Sequence, residues 1–153
     1  MQATLGALMV SDCSSSQPCV MIVDDSLDHQ ELLRIVLEGE GYYVHSALNG
    51  QEALDQLLSM SPLPHLILLD LMMPVMDGFA FRIRQLQTPN VSDIPVVVMS
   101  AAAFVEDQTR RLNALGYVKK PVDISELLRI VQEVVHGTPA TGNELNPSHL
   151  AHL

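Results

Sequence analysis

Five polar residues stand where chemistry could be done: Asp24, Asp25, Asp70, Ser100 and Lys120, each at or just after the end of an apolar run. Clustered carboxylates repel one another unless a cation neutralises them. A hard divalent ion such as Mg²⁺ suits such a set, taking a few carboxylates together with water and phosphate oxygens. A carboxylate can also be the nucleophile toward phosphorus, giving an aspartyl phosphate, and that transfer depends on electrostatic clamping more than on covalent help. Lysine supplies a point charge for a phosphate oxygen, and a serine hydroxyl supplies a hydrogen bond. Each residue also has a plainer explanation. Asp70 is a favoured helix N-cap type, an acidic pair complements a helix dipole, Ser100 fits a turn, and Lys120 before Pro121 fits a solvated surface lysine.

The elements that must position these residues decide between the two readings. The run Leu66-Ile67-Leu68-Leu69 ending on Asp70, bounded by turn residues, reads as a buried central strand. Cys19–Val23 is a second such run, ending on Asp24-Asp25, and Tyr42–Ala47 a third. Pro95–Met99 ends on Ser100, and Gly116–Lys119 is followed by Lys120-Pro121. Between them the spacing predicts helices. The first runs from about Ser26, with an apolar face of Leu32, Leu33, Ile35, Val36 and Leu37. The second follows Asn49-Gly50, and the third carries Phe79, Phe81, Ile83 and Leu86. The fourth covers roughly Val105 to Leu115, and the last follows Asp123, with Leu127, Leu128, Ile130, Val131, Val134 and Val135. Alternation of this kind predicts an α/β fold, a doubly wound five-stranded parallel sheet with helices on both faces. Ligands in such sheets bind outside the carboxyl ends of the strands. All five polar residues fall at that edge.

Composition bounds the remaining choices. A chain of 153 residues is one domain with room for a core. Its 48% hydrophobic and 17% charged content fits a compact fold. No apolar run approaches the roughly 20 residues of a membrane span, and residues 1–10 lack the basic start of a signal peptide. A net charge of −10 with only eight Lys and Arg disfavours nucleic acid as a partner. Cys13 and Cys19 match no zinc or thioredoxin spacing, which points to a reducing, cytoplasmic setting. Residues 1–17, with Ser11, Ser14, Ser15 and Ser16, read as a flexible N-terminal arm and 137–153 as a flexible C-terminal tail, leaving 18–136 as the folded domain.

Over about residues 18–136 the chain resembles a two-component response-regulator receiver domain. The motifs that carry the likeness are Val23-Asp24-Asp25-Ser26, Leu69-Asp70-Leu71-Met72-Met73-Pro74, Asp77-Gly78, Met99-Ser100-Ala101 and Lys120-Pro121. The resemblance implies a flavodoxin-like strand order of 2-1-3-4-5 and a stand-alone phosphorelay switch. Asp70 would be the phosphoacceptor, taking its phosphoryl group from a sensor histidine kinase or a phosphotransfer protein. Mg²⁺ would be held by Asp24, Asp25, Asp70 and the backbone carbonyl of Met72. Ser100 and Lys120 would contact the phosphoryl group. Tyr117 would be the aromatic switch that turns inward when Ser100 moves, and the signal would pass to a downstream protein target.

Two departures stand out. Asn113-Ala114-Leu115-Gly116-Tyr117 is about two residues shorter than the family's Ala-Gly-Ala-Asp-Asp-Tyr pattern, so the end of the fourth helix or its loop must be tightened. Met72 and Ala102 replace polar residues that can position attacking water, which predicts slow self-dephosphorylation. An aspartyl-phosphate phosphatase of the haloacid-dehalogenase type is disfavoured, since it needs a second Asp at the position of Met72. A receiver-fold interaction module that is never phosphorylated is the other alternative, and the intact set of Asp24, Asp25, Asp70, Ser100 and Lys120 argues against it. A homodimer through Phe104 and Val105 competes with burial of both residues.

Overall fold

The structure is a computed structural model that describes residues 16–101, 103 and 105–137. Most of the expected arm, Cys13 included, lies outside the described residues, as do the tail beyond Gly137, Ala102 and Phe104.

Five parallel strands form one sheet: β1 (Cys19–Val23), β2 (Tyr43–Ala47), β3 (Leu66–Asp70), β4 (Val96–Ser100) and β5 (Gly116–Lys119), in the order β2-β1-β3-β4-β5. Every residue of β1, β3 and β4 is buried, as continuous apolar runs covered on both faces should be. The helices are α1 (Leu27–Gly39), α2 (Gly50–Ser59), α3 (Gly78–Leu86), α4 (Val105–Arg111) and α5 (Ile124–His136). Leu33 and Leu37 of α1 pack with Leu127, Ile130 and Val131 of α5 on one face. Ala53 and Leu57 of α2, Phe81 of α3 and Val105 of α4 cover the other.

Local chemistry starts and stops these helices. Ser26, Asn49, Asp77 and Asp123 are N-caps whose side chains accept from backbone amides in the first turns of α1, α2, α3 and α5. Gly137, at φ 63°, ends α5 in the left-handed conformation that glycine adopts freely. The N-cap role considered for Asp70 belongs to Asp77 instead.

Four expectations are corrected. Leu32 and Ile35 of α1 are 50% and 61% exposed, and the third member of the buried stripe is Gln30. On α3, Ile83 and Leu86 face solvent, whereas Arg82 and Gln85 are buried. The fourth helix stops at Arg111, short of the expected Leu115, because the chain turns at Leu112-Asn113, with Asn113 at φ 52°. Val105 is fully buried, which removes it from any dimer face.

Candidate functional site

Asp24 and Asp25 follow the last residue of β1, Asp70 ends β3, Ser100 ends β4, and Lys120 follows β5. Parallel strands in register bring these ends together: Val23 pairs with Leu69, Asp70 with Met99, and Ser100 with Lys119. Carboxylate oxygens of Asp24, Asp25 and Asp70 all lie within 4.8 Å of one another. Lys120 Nζ reaches Oδ2 of Asp24 at 3.3 Å and Oδ2 of Asp70 at 3.4 Å. Its backbone N–H donates to the carbonyl of Ser100 at 3.0 Å, which joins the ends of β4 and β5.

The two buried carboxyls are driven in opposite directions. Burial pushes Asp24 upward, but the His29 contact, the Ser26 amide and Lys120 together outweigh it, so its carboxyl sits below the usual range. Burial pushes Asp70 upward as well; Lys120 opposes this, the charge of Asp24 adds to it, and the net result lies above the usual range. Asp70 Oδ1 accepts the Met72 N–H at 3.3 Å. Asp25 is exposed and forms the open side of the cluster.

An all-oxygen donor set with one exposed and two buried carboxylates fits a hard, partly hydrated cation such as Mg²⁺. Met72, two residues on from Asp70, is 74% exposed. Ser100, the last residue of β4, is buried. Tyr117 is 4% exposed within the α2–α3–α4 core, opposite Val98 of β4.

Two residues of the site were not singled out from the sequence. His29 Nδ1 contacts Asp24 Oδ2 from the first turn of α1. Gln30 Nε2 donates to the carbonyls of Asp24 at 2.7 Å and Ala47 at 2.8 Å, tying the end of β1 to the end of β2. A signal for Gln30 exists, since it is three and seven residues before Leu33 and Leu37 on the buried stripe. The signal for His29 is its place on the turn that directly follows the acidic pair.

Comparison with known proteins gives a consistent result. The family model described as response regulator receiver domain matches residues 20–132. An uncharacterised 14.6 kDa protein from Leptolyngbya boryana is 39% identical over 77% of this chain and 90% of its own length. The DNA-binding dual master transcriptional regulator RpaA of Synechocystis is 34% identical over 79% of this chain, which spans only 50% of that regulator. Among solved structures, the chemotaxis protein CheY4 of Vibrio cholerae superposes with a TM-score of 0.70 at 26% identity, covering 78% of this chain and 99% of its own. A signal receiver domain of a histidine kinase from Syntrophus aciditrophicus gives 0.70 at 30% identity, covering 84% and 98%.

Proposed function

The chain belongs to the response regulator receiver domain family, and from that premise we propose that Asp70 is a phosphoacceptor that sets a two-component signalling switch. The observation that carries the reading is the meeting of Asp70 with Lys120 and the Asp24-Asp25 pair at the carboxyl edge of the sheet. The Asp70 carboxylate attacks the phosphorus of a phosphohistidine on a histidine kinase or phosphotransfer protein. An O–P bond forms, the N–P bond breaks, and the imidazole leaves with the bonding pair. Mg²⁺, held by Asp24, Asp25, Asp70 and the Met72 carbonyl, would supply positive charge to the phosphoryl oxygens. Lys120 neutralises a phosphoryl oxygen, and the Ser100 hydroxyl donates to another.

Phosphorylation adds a charge of roughly −1.5 to −2 at neutral pH. Ser100 and Tyr117 form the element it biases, and the receiver surface carries the change to a protein target. Coverage of 90% of the Leptolyngbya protein's own length supports a switch that acts through its own surface. Among the described residues no helix is long and apolar enough to cross a membrane, and the reading carries a cytoplasmic setting.

Incubation with a small acyl phosphate and Mg²⁺, followed by intact mass measurement, tests this. One acid-resistant, base-labile phosphoryl group on the wild type, absent from Asp70→Asn, is expected. No label on the wild type would leave an inert interaction module, and rapid turnover of phosphate esters would indicate a phosphatase.

A further inference from the structure

Arg82 of α3 is 5% exposed, and among the described residues no carboxylate pairs with it. Burying a charge is costly unless hydrogen bonds replace water. Its guanidinium makes three. Nε donates to the carbonyl of Leu112 at 3.0 Å, Nη2 to that of Asn113 at 2.8 Å, and Nη1 to Oε1 of Gln85 at 2.7 Å. Gln85 Nε2 in turn donates to the carbonyls of Val91 and Ile94, each at 3.0 Å.

Leu112 and Asn113 close the C-terminal end of α4, where unsatisfied carbonyls and the negative end of the helix dipole favour a cation. This is also the connection that is about two residues shorter than the family pattern. The guanidinium thus caps a tightened turn from a neighbouring helix. At its other end α3 has no slack either. The Gly78 N–H donates to the Leu71 carbonyl at 3.0 Å, and a Cβ on Gly78 would fall 2.5 Å from the carbonyl oxygen of Asp70. Helix α3 therefore runs as a strut from the end of the Asp70 strand to the end of α4.

We infer that Arg82 is a positioning residue that pins the C-terminal end of α4 to α3, so that movement begun at Ser100 swings α4 about a fixed hinge at Leu112–Asn113. The hinge role rests on the phosphoacceptor reading above; the pinning does not. A fixed far end confines the movement of α4 to its Ser100 end. A partner that reads the position of α4 would then contact that end.

Amide hydrogen exchange by mass spectrometry on the full chain tests both parts. Wild type, Arg82→Met and Arg82→Lys are compared at rest and with Mg²⁺ plus beryllofluoride, a phosphoryl mimic. At rest, Arg82→Met is expected to speed exchange over residues 109–116 by about tenfold or more, with β1 and β3 unchanged. Arg82→Lys, which keeps the charge but cannot reach both carbonyls as a fork, falls between, and it serves if the Met variant does not fold. On beryllofluoride addition the wild type changes over 100–106 but not over 110–114. In Arg82→Met the change extends through both segments. Resting exchange over 109–116 that is identical in all three proteins overturns the pinning. A wild type that loosens equally over both segments on activation overturns the hinge. A wild type with no change around Asp70 overturns the phosphoacceptor reading and the hinge with it, while the resting comparison still decides the pinning.

Discussion

The ammonium of Lys120 lies 3.4 Å from Oδ2 of Asp70, on the loop that follows the edge strand. The same nitrogen is 3.3 Å from Asp24, so one cation bridges the two buried carboxylates of the cluster. Lys120→Met is expected to lower stability at neutral pH by about 1–3 kcal/mol, less than for a fully buried pair because the lysine is partly exposed. Urea unfolding with and without Mg²⁺ checks this. Added Mg²⁺ should recover part of the loss, since it supplies the missing positive charge. A variant as stable as the wild type in both buffers would mean that the ammonium contributes nothing there.

Asp24 and Asp70 make opposite contributions to stability as pH changes. The Asp24 carboxyl is held low, so its stabilisation is present above the ordinary carboxylate range and is lost as pH falls through its folded value. Asp70 is held high, so its ionised form is destabilising at neutral pH, and that cost is relieved as pH falls through its folded value. Asp70→Asn is therefore expected to melt a few degrees above the wild type at neutral pH without metal. The gap should narrow on acidification toward about pH 4. Thermal unfolding across that range reads it directly, and a variant that melts lower at neutral pH would contradict the sign.

Strand positions and strand ends were legible in the sequence because β1, β3 and β4 are short apolar runs that stop on polar residues, as strands of a sheet covered on both faces do, whereas the strand order came from the family resemblance carried by the motifs at those ends. The starts of α1, α2 and α5 were legible at Ser26, Asn49 and Asp123, polar residues that stand just before helically spaced apolar positions and that serve as N-caps. Helix faces were less so. Ile83 and Leu86 have apolar spacing on α3, yet Arg82 and Gln85 occupy the interior, because the carbonyls of Leu112, Asn113, Val91 and Ile94 offer hydrogen bonds there. Those acceptors belong to loops distant in sequence, and no local period reports them. His29 escaped notice for a related reason: its contact with Asp24 depends on how the first turn of α1 leaves β1.

Asp25 is the exposed member of the acidic cluster and has the least protein contact to lose. Asp25→Asn should therefore leave the metal-free melting temperature close to that of the wild type. Magnesium at about ten times its dissociation constant stabilises a protein by about 1.4 kcal/mol, and the variant should lose most of that gain. Melting curves over a magnesium titration separate the two effects. Equal stabilisation of both proteins would remove Asp25 from the ion's donors.

Met72, whose N–H donates to Asp70 Oδ1, is 74% exposed. A thioether neither donates to nor orients a water for in-line attack. Release of phosphate from the phosphorylated wild type is expected to be slow, and Met72→Asn is expected to speed it by about tenfold, less than the roughly 10²–10⁴-fold of a fully positioned general acid or base because the amide only orients the water. A phosphate-release time course after removal of the donor gives both rates. Loss from the wild type within minutes would refute the slow reading.

Gly78 and Gly39 offer a matched contrast on two helices. A Cβ at Gly78 would lie 2.5 Å from the Asp70 carbonyl oxygen and 2.8 Å from Leu71 Cα, both backbone atoms that cannot rotate away. Gly78→Ala must therefore push α3 off the end of β3, at a cost of about 2–3 kcal/mol by the measure of overpacked cores. Because Asp70 sits at that junction, the same variant should also slow acquisition of phosphate from a small donor. Gly39, at the end of α1, has nothing within 4 Å of its Cβ position. Gly39→Ala should stabilise by about 0.4–1 kcal/mol, since alanine restricts the unfolded chain without a clash. Chemical denaturation of both variants beside the wild type gives the two signs. A harmless Gly78→Ala would show that α3 is free to slide at its Asp70 end.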